Sequence, residues 1–124
     1  MSDTVEGMVV VAGTISFETQ EARDGAVAAS VDLQRSTRSD EPGCLAYCFG
    51  ADPAEPTVVQ VYELWEDAES LVAHFVHPNY LAMRDTLRSF RITGAANRAY
   101  LVARDEPVYG PDATIRSSFF ADAE

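Results

Sequence analysis

The stretch TVVQVYELWEDAESLVAHFVHPNY, residues 57–80, decides the fold because two periods meet in it. Up to Trp65 the residues alternate, with Val59, Val61, Glu63 and Trp65 on one side and Val58, Gln60, Tyr62 and Leu64 on the other, as a strand requires. From Asp67, which suits an N-cap and is followed by Glu69, apolar residues fall at 68, 71, 72, 75 and 76, the stripe of an α-helix. Pro78 interrupts that helix and suits the first turn of another. Tyr80, Met83, Leu87 and Phe90 then carry the new helix inward to about Arg91.

Working outward, CLAYCFGAD (44–52) reads as a second strand, joined to this one by the proline-loaded DPAEP (52–56) as a hairpin. GMVVVAGTISF (7–17) alternates in the same way. From Thr19 to about Ser39, Ala22, Ala26, Ala29 and Leu33, with Val27 and Val31 beside them, predict one helix that DEPG (40–43) ends. TGAANRAYLVAR (93–104) reads as a closing strand. The order β-α-β-β-α-β predicts an α+β, ferredoxin-like domain over residues 1–104, with helices on one face of an antiparallel sheet. Neither side of the 58–65 strand is simply polar, so the face without helices is expected to pack on a second subunit as a homodimer. Residues 105–124, ending in Phe119-Phe120, read either as a loose terminus or as an arm on the partner.

At 124 residues the length fits one domain, and a composition 47% hydrophobic and 23% charged is that of a folded protein. No apolar run approaches the roughly 20 residues of a membrane span. The first residues lack the basic start and cleavage site of a signal peptide, so a cytoplasmic location is expected. Twenty acidic against nine basic residues give a net charge of −11, which disfavours nucleic acid and anionic membranes as partners. In one continuous strand Cys44 and Cys48 would share a face about 13 Å apart, too far to bridge, and are expected to be buried thiols.

Candidate chemistry gathers around the opening stretch. On the predicted helix His74 flanks the apolar stripe, about 60° from Leu71, whereas His77 lies roughly opposite it and suits a cap beside Pro78. His74 therefore reads either as a site residue or as a half-buried histidine bonded to backbone or solvent. Glu63 and Trp65 share one side of their strand, so an acid, an indole and an imidazole could border one cavity; core packing of Trp65 and an ion pair for Glu63 are the competing readings. Tyr80 and Arg84 stand one turn apart and could both touch a ligand. Glu63, His74 and His77 are the residue types of a two-His, one-carboxylate metal triad, but His77 turns away, and no metal is expected. No phosphate loop, nucleophile elbow or dinucleotide fingerprint is present.

EPGCLAYCF, VVQVYELWEDAESLVAH and HPNYLAMRDTL together resemble the antibiotic biosynthesis monooxygenase family of dimeric α+β barrels, over about Val9 to Val102. The resemblance implies a homodimer with a cavity between sheet and helices in each subunit. It also implies a monooxygenase that oxidises a phenolic or hydroquinone-type aromatic molecule with O₂ and no cofactor. In that scheme Trp65 stacks on the substrate, His74 or a tyrosine moves the proton and Arg84 stabilises the anion, while Glu63, Tyr80, Tyr47 and Tyr62 bind. The haem-degrading enzymes it also resembles carry an iron-ligating His where this chain has Met83-Arg84. Relatives that are isomerases, or that bind small molecules without catalysis, leave those functions as alternatives.

Overall fold

In a computed structural model, which describes residues 6–121, strands β1 (Val9–Phe17), β2 (Cys44–Ala51), β3 (Val58–Trp65) and β4 (Ile92–Leu101) form one antiparallel sheet in the order β2-β3-β1-β4. Helices α1 (Gln20–Ala29), α2 (Val31–Asp40), α3 (Ala68–His74) and α4 (Pro78–Arg88) connect them, giving the ferredoxin-like α+β arrangement. In β3 the alternation holds as read: Val59, Val61, Glu63 and Trp65 are buried under the helices, while Gln60 and Tyr62 are exposed on the opposite face. With Ile15, Phe17, Tyr47, Phe49, Met83 and Leu87 the helix-side residues of β3 make the core.

Three details depart from the sequence reading. The helix expected from Thr19 to Ser39 is two helices meeting at Ser30, whose hydroxyl donates to the Val27 carbonyl and accepts from Gln34 Nε2. The break lets α2 lie along the free edge of β2. There Gln34 exchanges two hydrogen bonds with the Phe49 backbone, and Arg38 Nε donates to the Tyr47 carbonyl at 2.7 Å. These side chains satisfy edge groups that would otherwise invite another strand.

The second departure is a bulge in β2. Cys44 pairs with Trp65 but Ala46 pairs with Leu64, leaving Leu45 as the extra residue. The bulge turns the rest of the strand over, so Tyr47 and Phe49 face the helices whereas Cys48 is exposed on the other side and Cys44 is only half-buried. The shared face and full burial expected of the two cysteines are therefore corrected. Third, α3 is rotated from its expected stripe. His74 is its buried residue, and Val72, Phe75 and Val76 are exposed. Seven residues cannot bury a long stripe, and the contacts of His74 set the rotation.

The strands β2, β3 and β1 are roofed by helices, but every residue of β4, the other edge, is exposed. The backbone of α4 packs on α1 and α2 and stands back from the strands. A gap is left between α4 and the β1–β4 half of the sheet.

Candidate active site

That gap is a cavity of about 290 Å³. Its floor is Val11 and Ile15 of β1 with Ala95 and Asn97 of β4. Its wall is one face of α4, where Met83 and Leu87 alternate with Tyr80, Arg84 and Arg88 at the three- and four-residue spacings that share a helix side. Tyr47, Phe49, Glu63 and Phe75 close one end, and Ile92 borders the other. Register places Asn97 opposite Gly13, and a Cβ on that glycine would stand 2.5 Å from Asn97 Oδ1. Glycine at position 13 thus leaves room for the amide to lie on the cavity floor.

Among the described residues Glu63 is the only acid lining this mostly apolar space. Its Oε1 accepts a hydrogen bond from Trp65 Nε1 at 2.9 Å, and among the described residues Oε2 has no partner. Burial raises its pKa from 4.5 to about 7, against the lowering effect of the Trp65 hydrogen bond and with a further push from Glu41. Tyr47 is 2% exposed. Burial, and then the nearby Glu63 charge, push its phenol far above the usual tyrosine range, so it keeps its proton throughout ordinary pH. Its hydroxyl has no hydrogen-bond partner among the described residues. An acid poised near neutrality and a permanently protonated phenol thus line one pocket.

Behind these two lies a second, sealed layer. Trp65 has no exposed surface and His74 is 1% exposed, with ring centroids 4.6 Å apart. His74 Nδ1 lies 2.7 Å from Glu41 Oε1; a carboxylate oxygen accepts, so the proton sits on Nδ1. Burial lowers the His74 pKa, opposed by that hydrogen bond, and the imidazole is neutral at pH 7. Asn79 Nδ2 donates to Glu41 Oε2. The Glu41–His74 contact ties the loop after α2 to the end of α3, and the tilted rings of Tyr47, Phe75 and Tyr80 surround the imidazole.

Of the residues singled out in the sequence, the fold brings Glu63, Tyr47, Tyr80 and Arg84 to the cavity, and not the others. Trp65 cannot stack on a ligand there, because it is enclosed by core and by His74; it holds Glu63 instead. His74 cannot exchange a proton with a cavity ligand directly, since its surface is covered and its Nδ1 is engaged by Glu41. Tyr62 faces away, on the helix-free side of the sheet. His77 caps α4, its Nδ1 accepting from the Asn79 backbone. Glu63 is bonded to Trp65, whereas His74 and His77 both border Glu41, His74 Nδ1 at 2.7 Å from Oε1 and His77 Nδ1 at 3.9 Å from Oε2. Asn97, Phe75, Arg88 and Glu41 escaped the sequence reading. The alternation of β4 with Asn97 on its inner side was the available signal for the first, whereas nothing local signals a Glu41–His74 contact 33 residues apart.

An antiparallel sheet with helices over one face and a cavity beneath the last helix defines an α+β domain with an internal cavity. The chain belongs to the antibiotic biosynthesis monooxygenase family, whose model matches residues 8–86. Solved structures similar to it include a provisionally named antibiotic biosynthesis monooxygenase from Caulobacter crescentus, 20% identical with TM-score 0.73, the match covering 82% of this chain and 94% of that one. A protein of the same provisional name from Deinococcus radiodurans is 24% identical with TM-score 0.72, covering 82% and 99%. SnoaB, a cofactor-independent oxygenase from Streptomyces nogalater, is 11% identical with TM-score 0.62, covering 82% and 99%. At these identities the likeness shows the fold alone. No curated protein matches the chain.

Proposed function

We propose that this protein is a cofactor-independent monooxygenase that converts a phenolic or hydroquinone-type aromatic substrate to a quinone with O₂. The observation that carries the reading is Glu63: a carboxyl with pKa about 7, aimed at the inner end of an apolar cavity. Above that pH Glu63 accepts the substrate hydroxyl proton, and the anion formed is electron-rich enough to pass an electron to O₂. The radical pair joins as a peroxide, which loses water. One oxygen atom becomes the new carbonyl and the other leaves in water with the two hydrogens lost by the substrate, so the substrate supplies every electron. Tyr47 gives a hydrogen bond to the developing oxyanion, Tyr80 and Phe75 flank the ring, and Arg84 adds positive charge at the wall. Water exclusion by the apolar floor favours the radical pair over release.

The reading includes a homodimer and a cytoplasmic location. Tyr62 and Tyr100, 44% and 52% exposed on the helix-free face, support pairing through that face. Fractionation that finds the native protein outside the cytoplasm would contradict the location.

The test is oxygen uptake with a panel of anthrones, naphthols and hydroquinones. Uptake matched by stoichiometric quinone supports the oxygenase. Ligand binding without uptake on any member would contradict it and leave a non-catalytic binding protein.

A further inference from the structure

Glu63 lines the cavity, but the side chains that set its direction lie behind it. The β3 backbone fixes where the Trp65 side chain starts, by pairing Trp65 with Val9 and with Cys44. It does not fix the plane of the indole, because the torsion that turns a ring about its Cβ–Cγ bond is soft. The aim of Nε1 at Glu63 Oε1, 2.9 Å away, is therefore set by what packs on the ring. His74 lies against the indole with centroids 4.6 Å apart and planes tilted by 39°, and Tyr47 meets it edge-on at 6.4 Å.

His74 has the same freedom about its own Cβ–Cγ bond, and Glu41 removes it. Nδ1 lies 2.7 Å from Glu41 Oε1, and Asn79 Nδ2 holds the other carboxylate oxygen. Glu41 itself sits on a turn tied at both ends. Its N–H donates to the Thr37 carbonyl, its carbonyl accepts from the Cys44 N–H, and the Gly43 carbonyl accepts at 2.8 Å from Glu66, one residue past Trp65. A Cβ on Gly43 would collide with Ser70 of α3, so the turn and that helix fit closely. The order of contacts is thus Glu41, His74, Trp65, Glu63, a carboxyl at each end and two rings between. Burying the Glu41 carboxylate, 6% exposed, carries a desolvation cost that an apolar plug beside Trp65 would avoid. Such a plug would fill the space, but nothing would fix its angle against the indole.

We infer that Glu41 and His74 are positioning residues for Glu63: Glu41 sets the angle of the His74 ring, and that ring holds the Trp65 indole with its N–H on Glu63 Oε1, which leaves Oε2 to meet a cavity ligand. That Oε2 takes a substrate proton rests on the function proposed above; the hold on Glu63 does not require oxygen chemistry.

The test is the indole N–H resonance of isotope-labelled protein followed against pH, since the chain has one tryptophan and gives one such signal. Glu41 on its turn, Tyr47 and Cys44 on β2, His74 on α3, and Tyr80, Arg84 and Arg88 on α4 share the surroundings of Glu63. Burial keeps the Tyr47 and Cys44 protons in place at neutral pH, and E63Q assigns to Glu63 the part of the response that it removes. In the wild type the signal should move with a midpoint of about 7, and E63Q should abolish that movement. E41Q and E41A both remove a charge that pushes the Glu63 pKa up, so both midpoints should fall. Only E41Q still offers an oxygen to His74 Nδ1. The movement should keep its full size in E41Q and shrink at least twofold in E41A. H74N, which can still donate to Glu41 but lays no ring on Trp65, should lose it to the same extent; if H74N does not fold, the two Glu41 variants decide. Equal movement in E41Q and E41A, or no movement in the wild type, overturns the inference. The expected shifts without oxygen uptake on any substrate would sink the oxygenase reading and leave the positioning array standing.

Discussion

Glu63 carries both a cost and a use. At pH 8 its carboxyl is ionised in the folded and the unfolded chain, but the folded pKa of about 7 lies above the ordinary 4.5. Folding is therefore opposed above pH 7 by on the order of 3 kcal/mol. The penalty shrinks as pH falls through 7 and is gone below 4.5, where both states hold the proton. Glu63→Gln keeps an acceptor for Trp65 Nε1 and removes the buried charge. Its thermal midpoint should exceed that of the wild type by several degrees at pH 8, with the gap narrowing towards pH 5. A gap independent of pH would show that burial does not hold this carboxyl protonated. That Glu63 and Trp65 share a side was legible in the period-two alternation of residues 58–65, but which side faces the helices was not, because neither is simply polar. Their hydrogen bond follows from the same parity, because residues two apart on a strand share a face.

At the scale of elements, α3 shows where pattern reading stops. The apolar positions 68, 71, 72, 75 and 76 announced a helix, and a helix forms, yet its inward side is set by His74 rather than by the hydrophobic stripe. A hydrogen bond to a buried carboxylate 33 residues away outweighs the exposure of Val72 and Val76, and no local window contains both partners. The β2 bulge is a similar case: one extra residue, Leu45, inverts the faces of Tyr47 and Cys48, and the run CLAYCF reads the same with or without it. His74→Ala should cost about 3–5 kcal/mol in denaturant unfolding, since it opens a cavity beside Trp65 and strands the Glu41 carboxylate. Adding Glu41→Gln should recover part of that loss. Wild-type stability in His74→Ala would mean that the pair does not hold α3.

For the molecule as a whole, the element order, the sheet pairing and the existence of one helix-covered face were legible because each follows from local period and chain connectivity. The cavity was not, because it exists where α4 stands back from β1 and β4, a property of packing rather than of any segment. The fully exposed β4 and the apolar residues of the helix-free face argue that one chain does not complete the molecule. Sedimentation equilibrium should give twice the chain mass, and a single-chain mass at micromolar concentration would contradict the dimer. In the proposed reaction Glu63 takes a proton from a substrate in this cavity so that O₂ can be reduced without a cofactor. The most direct test of that step is kcat/KM for oxygen uptake measured against pH, for the wild type and for Glu63→Gln. The wild-type profile should rise through about pH 7 to a plateau. Glu63→Gln should lose that limb and fall by about 10²–10³-fold on the plateau. A variant with wild-type rates and an unchanged profile would contradict the account.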